Sequence, residues 1–367
     1  MRVAVNALHL VPGETGGLEV YARRLLPELA AADASLELVV LASREGFETL
    51  AADLDGRAEV VRVPVNARSR ARRVLTEQLR FRGAARADLL HNLFNTAPFF
   101  PGMPQVTTIH DLIYRHDPEP SLMTRGQALL LPLAARRSDR VVTPSEASKR
   151  DIVEHAGADP ARVDVVPNGP GLGDVPSTVD PAAVRRRFGG DGRPLVLTVS
   201  AKLPHKNVAR LIDAVAMLDL DPRPLLVVPG YETATESELR DHAERSGAEV
   251  RFAGWLDDAE LDALYRAADA FVMPSLAEGF GFPVLEAMLR GTPVACSNVT
   301  SLPEVAGDAA LLFDPLDTGA IADALRRLLT DAALRDRLTA AGAERARAFS
   351  WRRAAELTLA SYRRCFP

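Results

Sequence analysis

Short apolar runs alternate with longer stretches of helical period along nearly the whole chain. The runs are Val3–Val5, Leu36–Leu41, Glu59–Val63, Leu89–His91, Val106–Ile109, Arg140–Thr143 and Val163–Val166, then Leu195–Val199, Leu225–Val228, Val250–Phe252, Ala270–Met273, Val294–Ala295 and Ala310–Phe313. Their length and apolar character predict buried strands. Between them, apolar residues recur at helical spacing, as in Val20–Ala31, Ala209–Leu218, Asp258–Ala267 and Ile321–Leu329. Strand–helix alternation of this length predicts an α/β protein whose parallel sheets are covered on both faces. The rhythm fails around residues 168–183, where Asn168-Gly-Pro-Gly-Leu-Gly is followed by Pro176 and Pro181. We therefore expect two Rossmann-like, doubly wound domains of similar size, residues 1–170 and 171–350, facing across a cleft. On pattern alone, a last helix over 351–367 fits against either. No period of 20–50 residues repeats, which excludes solenoids.

Composition adds little to this picture but removes some alternatives. The 367 residues have room for two or three domains, and a net charge of −5 gives no reason to expect a nucleic-acid partner. Lysine occurs only at Lys149, Lys202 and Lys206, against 41 arginines. Each lysine therefore stands out. Cys296 and Cys365 form neither a metal-spacing motif nor a disulfide framework, so a reducing, cytoplasmic setting fits. The chain enters Met1-Arg-Val-Ala-Val without a signal-peptide pattern. Its longest apolar run, Ala128–Ala135, is too short to span a bilayer. Arginines at positions 68, 70, 72, 73, 80, 82 and 86 read first as a solvated helix face. The alternative is a surface, Arg68 to Arg86, for an anionic acceptor or for peripheral contact with the inner membrane face.

The candidate chemistry gathers where strands end, which is where open α/β sheets bind ligands. Glu278-Gly-Phe-Gly-Phe-Pro-Val-Leu-Glu286 places two glutamates eight positions apart. Gly279 and Gly281 precede a helix that Pro283 opens and Gly291 closes. Amides and the helix dipole there suit a phosphate, and flanking carboxylates suit sugar hydroxyls. A capped surface helix accounts for the same pattern. After Leu195–Val199 come Lys202, His205 and Lys206; a compact ammonium suits a diphosphate, although a solvated loop would read the same. His110-Asp111 leaves Val106–Ile109, where the histidine either contacts a ligand or caps the strand. Gly16 and Gly17 follow the first strand and allow close backbone approach, although a plain loop would read the same. Gly230 and the turn Gly254-Trp255-Leu256 end two further strands, and Trp255 reads equally as a stacking platform or as core. Neither the dinucleotide glycine fingerprint nor a phosphate loop ending in Gly-Lys-Ser/Thr is present.

Together these pieces resemble the family-4 retaining glycosyltransferases of the GT-B fold, nearest to a mannosyltransferase-like bacterial subgroup. The resemblance rests on Glu278 to Glu286 with its flanks Phe271-Val-Met-Pro-Ser and Gly291-Thr-Pro-Val, and on Lys206 in Pro-x-Lys-Asn. His110-Asp111, Gly16-Gly17, Ser145-Glu-Ala-Ser-Lys, Val166-Pro-Asn-Gly and Ser301-Leu-Pro-Glu-Val add to it. It implies that Lys206 and the amides of Gly279, Phe280, Gly281 and Phe282 hold the donor diphosphate and sugar. It implies Glu286 on the ribose, Glu278 and His110 on the transferring sugar, and Gly16 and Gly17 near phosphate and acceptor. The turn with Trp255 and Leu256 would hold the base, Gly230 would belong to the donor site, and the last helix would return to the N-terminal domain. Relatives often carry an arginine where this chain has Ala201. Lys202 or His205 is then the candidate replacement in the clamp.

The expected reaction moves a hexose from a nucleotide diphosphate sugar, GDP-mannose first, to a hydroxyl of a glycan, lipid-linked or natural-product acceptor, with retention. No cofactor or metal is expected: the Asp-x-Asp pairs Asp53/Asp55 and Asp219/Asp221 fall in helix or helix-end contexts rather than after strands. A sugar-nucleotide epimerase or hydrolase of the same fold is the nearest rival. A nicotinamide-dependent dehydrogenase lacks its glycine fingerprint, and a non-catalytic sugar-nucleotide-binding protein would have little use for intact Glu278, Glu286 and Lys206.

Overall fold

The computed structural model describes residues 1–81, 86–116, 122–173 and 178–366. Thirteen strands run through them: β1 Arg2–Ala7, β2 Glu37–Ala42, β3 Glu59–Arg62, β4 Leu89–Asn92, β5 Gln105–Thr108, β6 Arg140–Thr143, β7 Val163–Val165, β8 Leu195–Leu197, β9 Leu225–Pro229, β10 Glu249–Gly254, β11 Ala270–Met273, β12 Val294–Ser297 and β13 Ala310–Phe313. Every apolar run read from the sequence is one of them, shifted by at most two residues at either end. The expected helices appear as Gly17–Ala32, Val208–Ala216, Asp258–Ala267, Thr318–Thr330 and Trp351–Arg363.

The strands form two separate parallel sheets, one seven-stranded in the order β3-β2-β1-β4-β5-β6-β7 and one six-stranded in the order β10-β9-β8-β11-β12-β13. Strand order reverses between β1 and β4 in the first and between β8 and β11 in the second. Such a reversal opens a crevice at the carboxyl ends of the strands, because the connections leave toward opposite faces. The chain divides into one compact unit of Met1–Gly171 with Phe349–Pro367, and a second of Leu172–Ala348. Each has its own apolar core. In the second, Val208, Leu211, Ile212 and Val215 from one helix and Ile321, Leu325 and Leu328 from another pack on Val196, Leu226, Val228 and Val272 of the sheet. These helical positions recur at three- and four-residue intervals, which puts them on one buried face.

The Trp351–Arg363 helix is capped by Ser350, whose hydroxyl accepts from the Arg353 N–H at 3.2 Å. It packs along Gly17–Ala32 in the first unit. The Trp351 indole N–H donates to the Pro170 carbonyl at 2.8 Å. At Gly169 an added Cβ would lie 2.6 Å from both Cδ1 and the backbone N of Trp351. Since one of those atoms is backbone, Gly169→Ala forces main-chain displacement. The expected cost is about 1–3 kcal/mol, read as a urea midpoint lower than that of the wild-type chain.

Candidate functional site

The crevice of the second sheet is built from the segments that leave β8 and β11. After β8 the chain makes a single 3-10 turn, Pro204–Lys206, and then takes a left-handed conformation at Asn207 with φ 58°. The Asn207 amide donates to the carbonyls of Pro274 (3.0 Å) and Pro315 (2.8 Å). The Leu276 N–H donates to the His205 carbonyl at 2.8 Å. These bonds fasten the Lys206 turn to the segment after β11. The result is a direct ion pair: Lys206 Nζ donates to Glu278 Oε1 at 2.7 Å, with side chains only 18% and 9% exposed. Two sequence-distant candidates, expected to touch different parts of a ligand, here hold each other.

Glu278 is fixed from behind as well. Its N–H donates to Thr300 Oγ1 at 3.0 Å, and Ser301 Oγ donates to the carbonyls of Glu278 and Phe280, both at 2.9 Å. Gly281 then turns the chain into the Phe282–Leu289 helix with φ 113°, against Leu302. A Cβ there would be strained by the backbone angle and would press on Leu302 Cδ2 at 2.8 Å, so the position favours glycine. The helix starts at Phe282, one residue before Pro283, and Gly291 follows its end with φ 74°. Phe280 is buried, and its ring meets that of Phe282 edge-on at 5.4 Å. Gly279 lies in the turn between Glu278 and Phe280.

Glu286 is held differently from the expectation of an open carboxylate. Its Oε1 accepts the Leu172 N–H at 2.9 Å and its Oε2 accepts the Tyr265 hydroxyl at 2.8 Å. Burial pushes its pKa above the usual carboxylate range, against these bonds and the Arg290 charge. Arg290 in turn pairs with buried Asp262 at 2.8 Å and donates to the Gly173 carbonyl at 3.0 Å. Each carboxylate oxygen keeps one further lone pair for a hydroxyl donor.

Lys202 is a correction. Expected in the diphosphate clamp, it is fully buried, with its ammonium donating to the carbonyls of Gly230 (2.5 Å) and Tyr231 (3.2 Å), and with Glu236 Oε2 at 3.3 Å. Burial lowers its pKa from the lysine range. It ties the ends of β8 and β9 together and does not join the Lys206–Glu278 pair. Trp255 resolves the other way: it is 64% exposed and stacks on Tyr231 at 4.6 Å and 25°, so it is a surface platform, while neighbouring Leu256 is buried.

The first unit holds the remaining candidates. His110 is buried beyond β5, with Nε2 2.9 Å from the Leu93 carbonyl and its ring edge-on to Tyr21 at 4.6 Å. Burial lowers its pKa to about 4, so the ring is neutral near pH 7. A carbonyl only accepts, which makes Nε2 the protonated nitrogen and Nδ1 an acceptor. This neutral imidazole can accept a hydrogen bond at its Nδ1 but cannot donate one from that atom. Gly16 caps the Gly17–Ala32 helix with φ 54°, and Gly17 is its first residue, not a loop residue. Of the arginine-rich segment, Arg68 pairs with Glu14, and the Arg70–Arg80 helix exposes Leu75 and Leu79. Arg82 lies outside the described residues, as does Pro176. Among the described residues, no helix is long and apolar enough to cross a membrane, and no three His, Cys, Asp or Glu side chains converge as metal ligands do.

Tyr265, Arg290 and Thr300 carry no signal in the sequence, and Asn207 and Ser301 appear there only as parts of motifs. Their signal is partnership with atoms far along the chain, which spacing does not carry.

Two family models match. Glycosyltransferase Family 4 covers residues 15–170, and Glycosyl transferases group 1 covers residues 183–345. O-antigen chain mannosyltransferase B of Escherichia coli is 33% identical over 273 residues, spanning 70% of this chain and 70% of that protein. D-inositol 3-phosphate glycosyltransferase of Corynebacterium glutamicum (strain R) is 30% identical over 403 aligned positions, covering 96% of this chain and 94% of that one. The crystal structure of Anabaena HepE in complex with UDP and glucose superposes with TM-score 0.77 across 99% of both chains, at 23% identity, and shows a shared fold.

The Glu286 environment yields a test. A carboxyl whose pKa is raised on folding binds its proton more tightly when folded. It therefore works against stability as pH climbs from the ordinary carboxylate range through its folded value. Glu286→Gln removes that cost and still accepts from Leu172. Its melting temperature at pH 7 is expected to equal or exceed wild type, whereas Glu286→Ala, which strands the Leu172 N–H, is expected to lose about 1–3 kcal/mol. Differential scanning calorimetry separates the two.

Proposed function

Because the chain belongs to the family-4 glycosyltransferases of the GT-B fold and is therefore a glycosyltransferase, we propose that it transfers a hexose from a nucleotide diphosphate sugar with retention and without a metal ion. The observation that carries this reading is the Lys206–Glu278 pair at the crevice of the second sheet. An ammonium and a carboxylate side by side match a ligand in which a diphosphate joins a polyhydroxylated ring. Lys206 meets the diphosphate, and Glu278 accepts hydrogen bonds from the sugar. The amides of the turn from Gly279 to Phe282 complete the phosphate site, Glu286 takes ribose hydroxyls on its remaining lone pairs, and the Tyr231–Trp255 stack lies on the base side. The first unit binds the acceptor, with His110 turned to a sugar hydroxyl.

GDP-mannose is the preferred donor, since several relatives, among them the Escherichia coli enzyme above, bear mannosyltransferase names. The acceptor class is a hydroxyl of a glycan, lipid-linked glycan or natural product. In the reaction the anomeric C–O bond to the diphosphate breaks, and a C–O bond to the acceptor forms on the same face. The departing phosphate takes the acceptor proton. Negative charge grows on that phosphate, and a preoriented ammonium stabilises it without solvent reorganisation. The Asp-x-Asp pairs do not compete for a metal role in this reading: Asp53 pairs with Arg23, Asp55 ends the Phe47–Leu54 helix, and Asp219 and Asp221 follow Val208–Ala216.

Lys206→Ala removes the ammonium and leaves Glu278 without its partner. Glucosyl or mannosyl transfer is expected to fall at least about tenfold, or roughly 1.4 kcal/mol in the barrier. Wild-type rates for both Lys206→Ala and Glu278→Gln would remove the site. Transfer in excess EDTA is expected to match the untreated rate, and the anomeric coupling constant of the product is expected to show retention. Loss of turnover in EDTA with recovery on Mn²⁺, or an inverted product, would count against the reading.

A further inference from the structure

Of the eight buried side-chain polar atoms left without a partner among the described residues, three belong to one place: His9 Nδ1, Glu77 Oε1 and Arg73 Nε. His9 leaves β1, and Phe94, whose ring lies 5.2 Å from that of His9, leaves β4. These are the two strands flanking the order reversal of the first sheet, so the cluster sits at the ligand edge of that unit. His9 Nδ1 faces Glu77 Oε1 at 3.7 Å. Glu77 is sealed from solvent, while the His9 side chain keeps 16% exposure. The carboxyl's other oxygen accepts from Thr96 Oγ1 at 3.1 Å.

We propose that the exposed part of His9 binds a hydroxyl of the acceptor, and that Glu77 is the positioning residue that decides whether the outward nitrogen gives or receives that hydrogen bond. This rests on the reading of the chain as a transferase whose first unit binds the acceptor. One proton placed between these two facing orphan atoms satisfies both. If Glu77 carries it, the carboxyl O–H donates to Nδ1 and the ring presents Nε2–H. If Glu77 is ionised, Nδ1–H donates to the carboxylate and Nε2 presents a lone pair. Passing from the first state to the second releases one proton and moves the ring proton from Nε2 to Nδ1. Burial raises the Glu77 pKa to about 7, against Arg73, Thr96, Asn6 and Arg70, so the exchange falls near neutrality. Burial, with Arg73, Arg70 and His110, holds the His9 pKa well down, so the ring stays neutral in both states. Above neutrality the ring then accepts a hydrogen bond from an acceptor hydroxyl other than the attacking one, which orients the acceptor and leaves the attacking hydroxyl's proton for the departing phosphate.

The test uses the full chain, labelled with ¹⁵N at histidine and followed from roughly pH 6 to pH 8. His9 is expected to change tautomer once, with a midpoint near 7, and Glu77→Gln, whose amide donates to Nδ1, is expected to hold Nε2–H throughout. Methyl α-mannopyranoside is the acceptor probe; it is expected to shift the His9 ring signals. With GDP-mannose as donor, its KM is expected to rise about tenfold in Glu77→Gln at the alkaline end, while the donor KM moves less than about twofold. A ring that keeps one tautomer across the range, or ignores the probe, overturns the proposal, as does an equal change in both KM values. A responsive ring in a protein that transfers no mannose sinks the proposed activity and leaves the pair standing.

Discussion

Parallel pairing within each sheet is the constraint from which the rest follows. A parallel strand cannot return by a tight turn, so every strand must send its chain over a face of the sheet before the next begins. In both units the first strand laid down becomes central, and later strands are added on both sides of it. The chain leaves β8 toward one face and β11 toward the other, and the gap between those exits is where Lys206 and Glu278 meet. Their 72-residue separation in sequence is closed by topology alone. The Asn207, Thr300 and Ser301 bonds then fix the pair to a single geometry.

Buried charge is the second theme, and it divides by function. Lys202 and Glu236 are shielded, the ammonium bonded to two carbonyls and the carboxylate to Arg240, an arrangement whose Coulomb gain mainly offsets desolvation. Asp262 and Arg290 do the same beneath Glu286. Lys206 and Glu278 keep partial exposure and have few protein partners beyond each other, which leaves their hydrogen-bonding capacity available to a ligand. The distinction between these shielded pairs and the one proposed to meet a ligand is thus one of access and spare lone pairs, not of residue type.

This explains what was legible in the sequence. Strand positions were plain because a strand buried on both faces is a continuous apolar run, and Gly281 and Gly291 were plain because their backbone angles demand glycine. Lys202 was misread because scarcity marks a lysine as unusual without saying which way it points. Only the carbonyls of Gly230 and Tyr231, some thirty residues on, turn it inward. Tyr265 and Arg290 were invisible for a related reason: each matters through partners brought by folding, and a tyrosine or arginine on a helix has many commoner uses. His9 and Glu77 carry no motif, and only their unmatched atoms reveal them.

The Tyr362 hydroxyl lies 2.6 Å from His91 Nδ1, and His91 Nε2 lies 2.8 Å from Thr108 Oγ1, which is 3.0 Å from the Tyr21 hydroxyl. This buried chain of polar groups is completed by a residue that leaves the ribosome after the whole of the second unit. Until then the Nδ1 of His91, deep in the first sheet, lacks its partner, and the face of Gly17–Ala32 that receives the final helix remains wet. Synthesis order and assembly order are therefore inverted: the unit begun first is the one finished last, and a nascent chain must carry that open seam for the time needed to translate nearly two hundred codons.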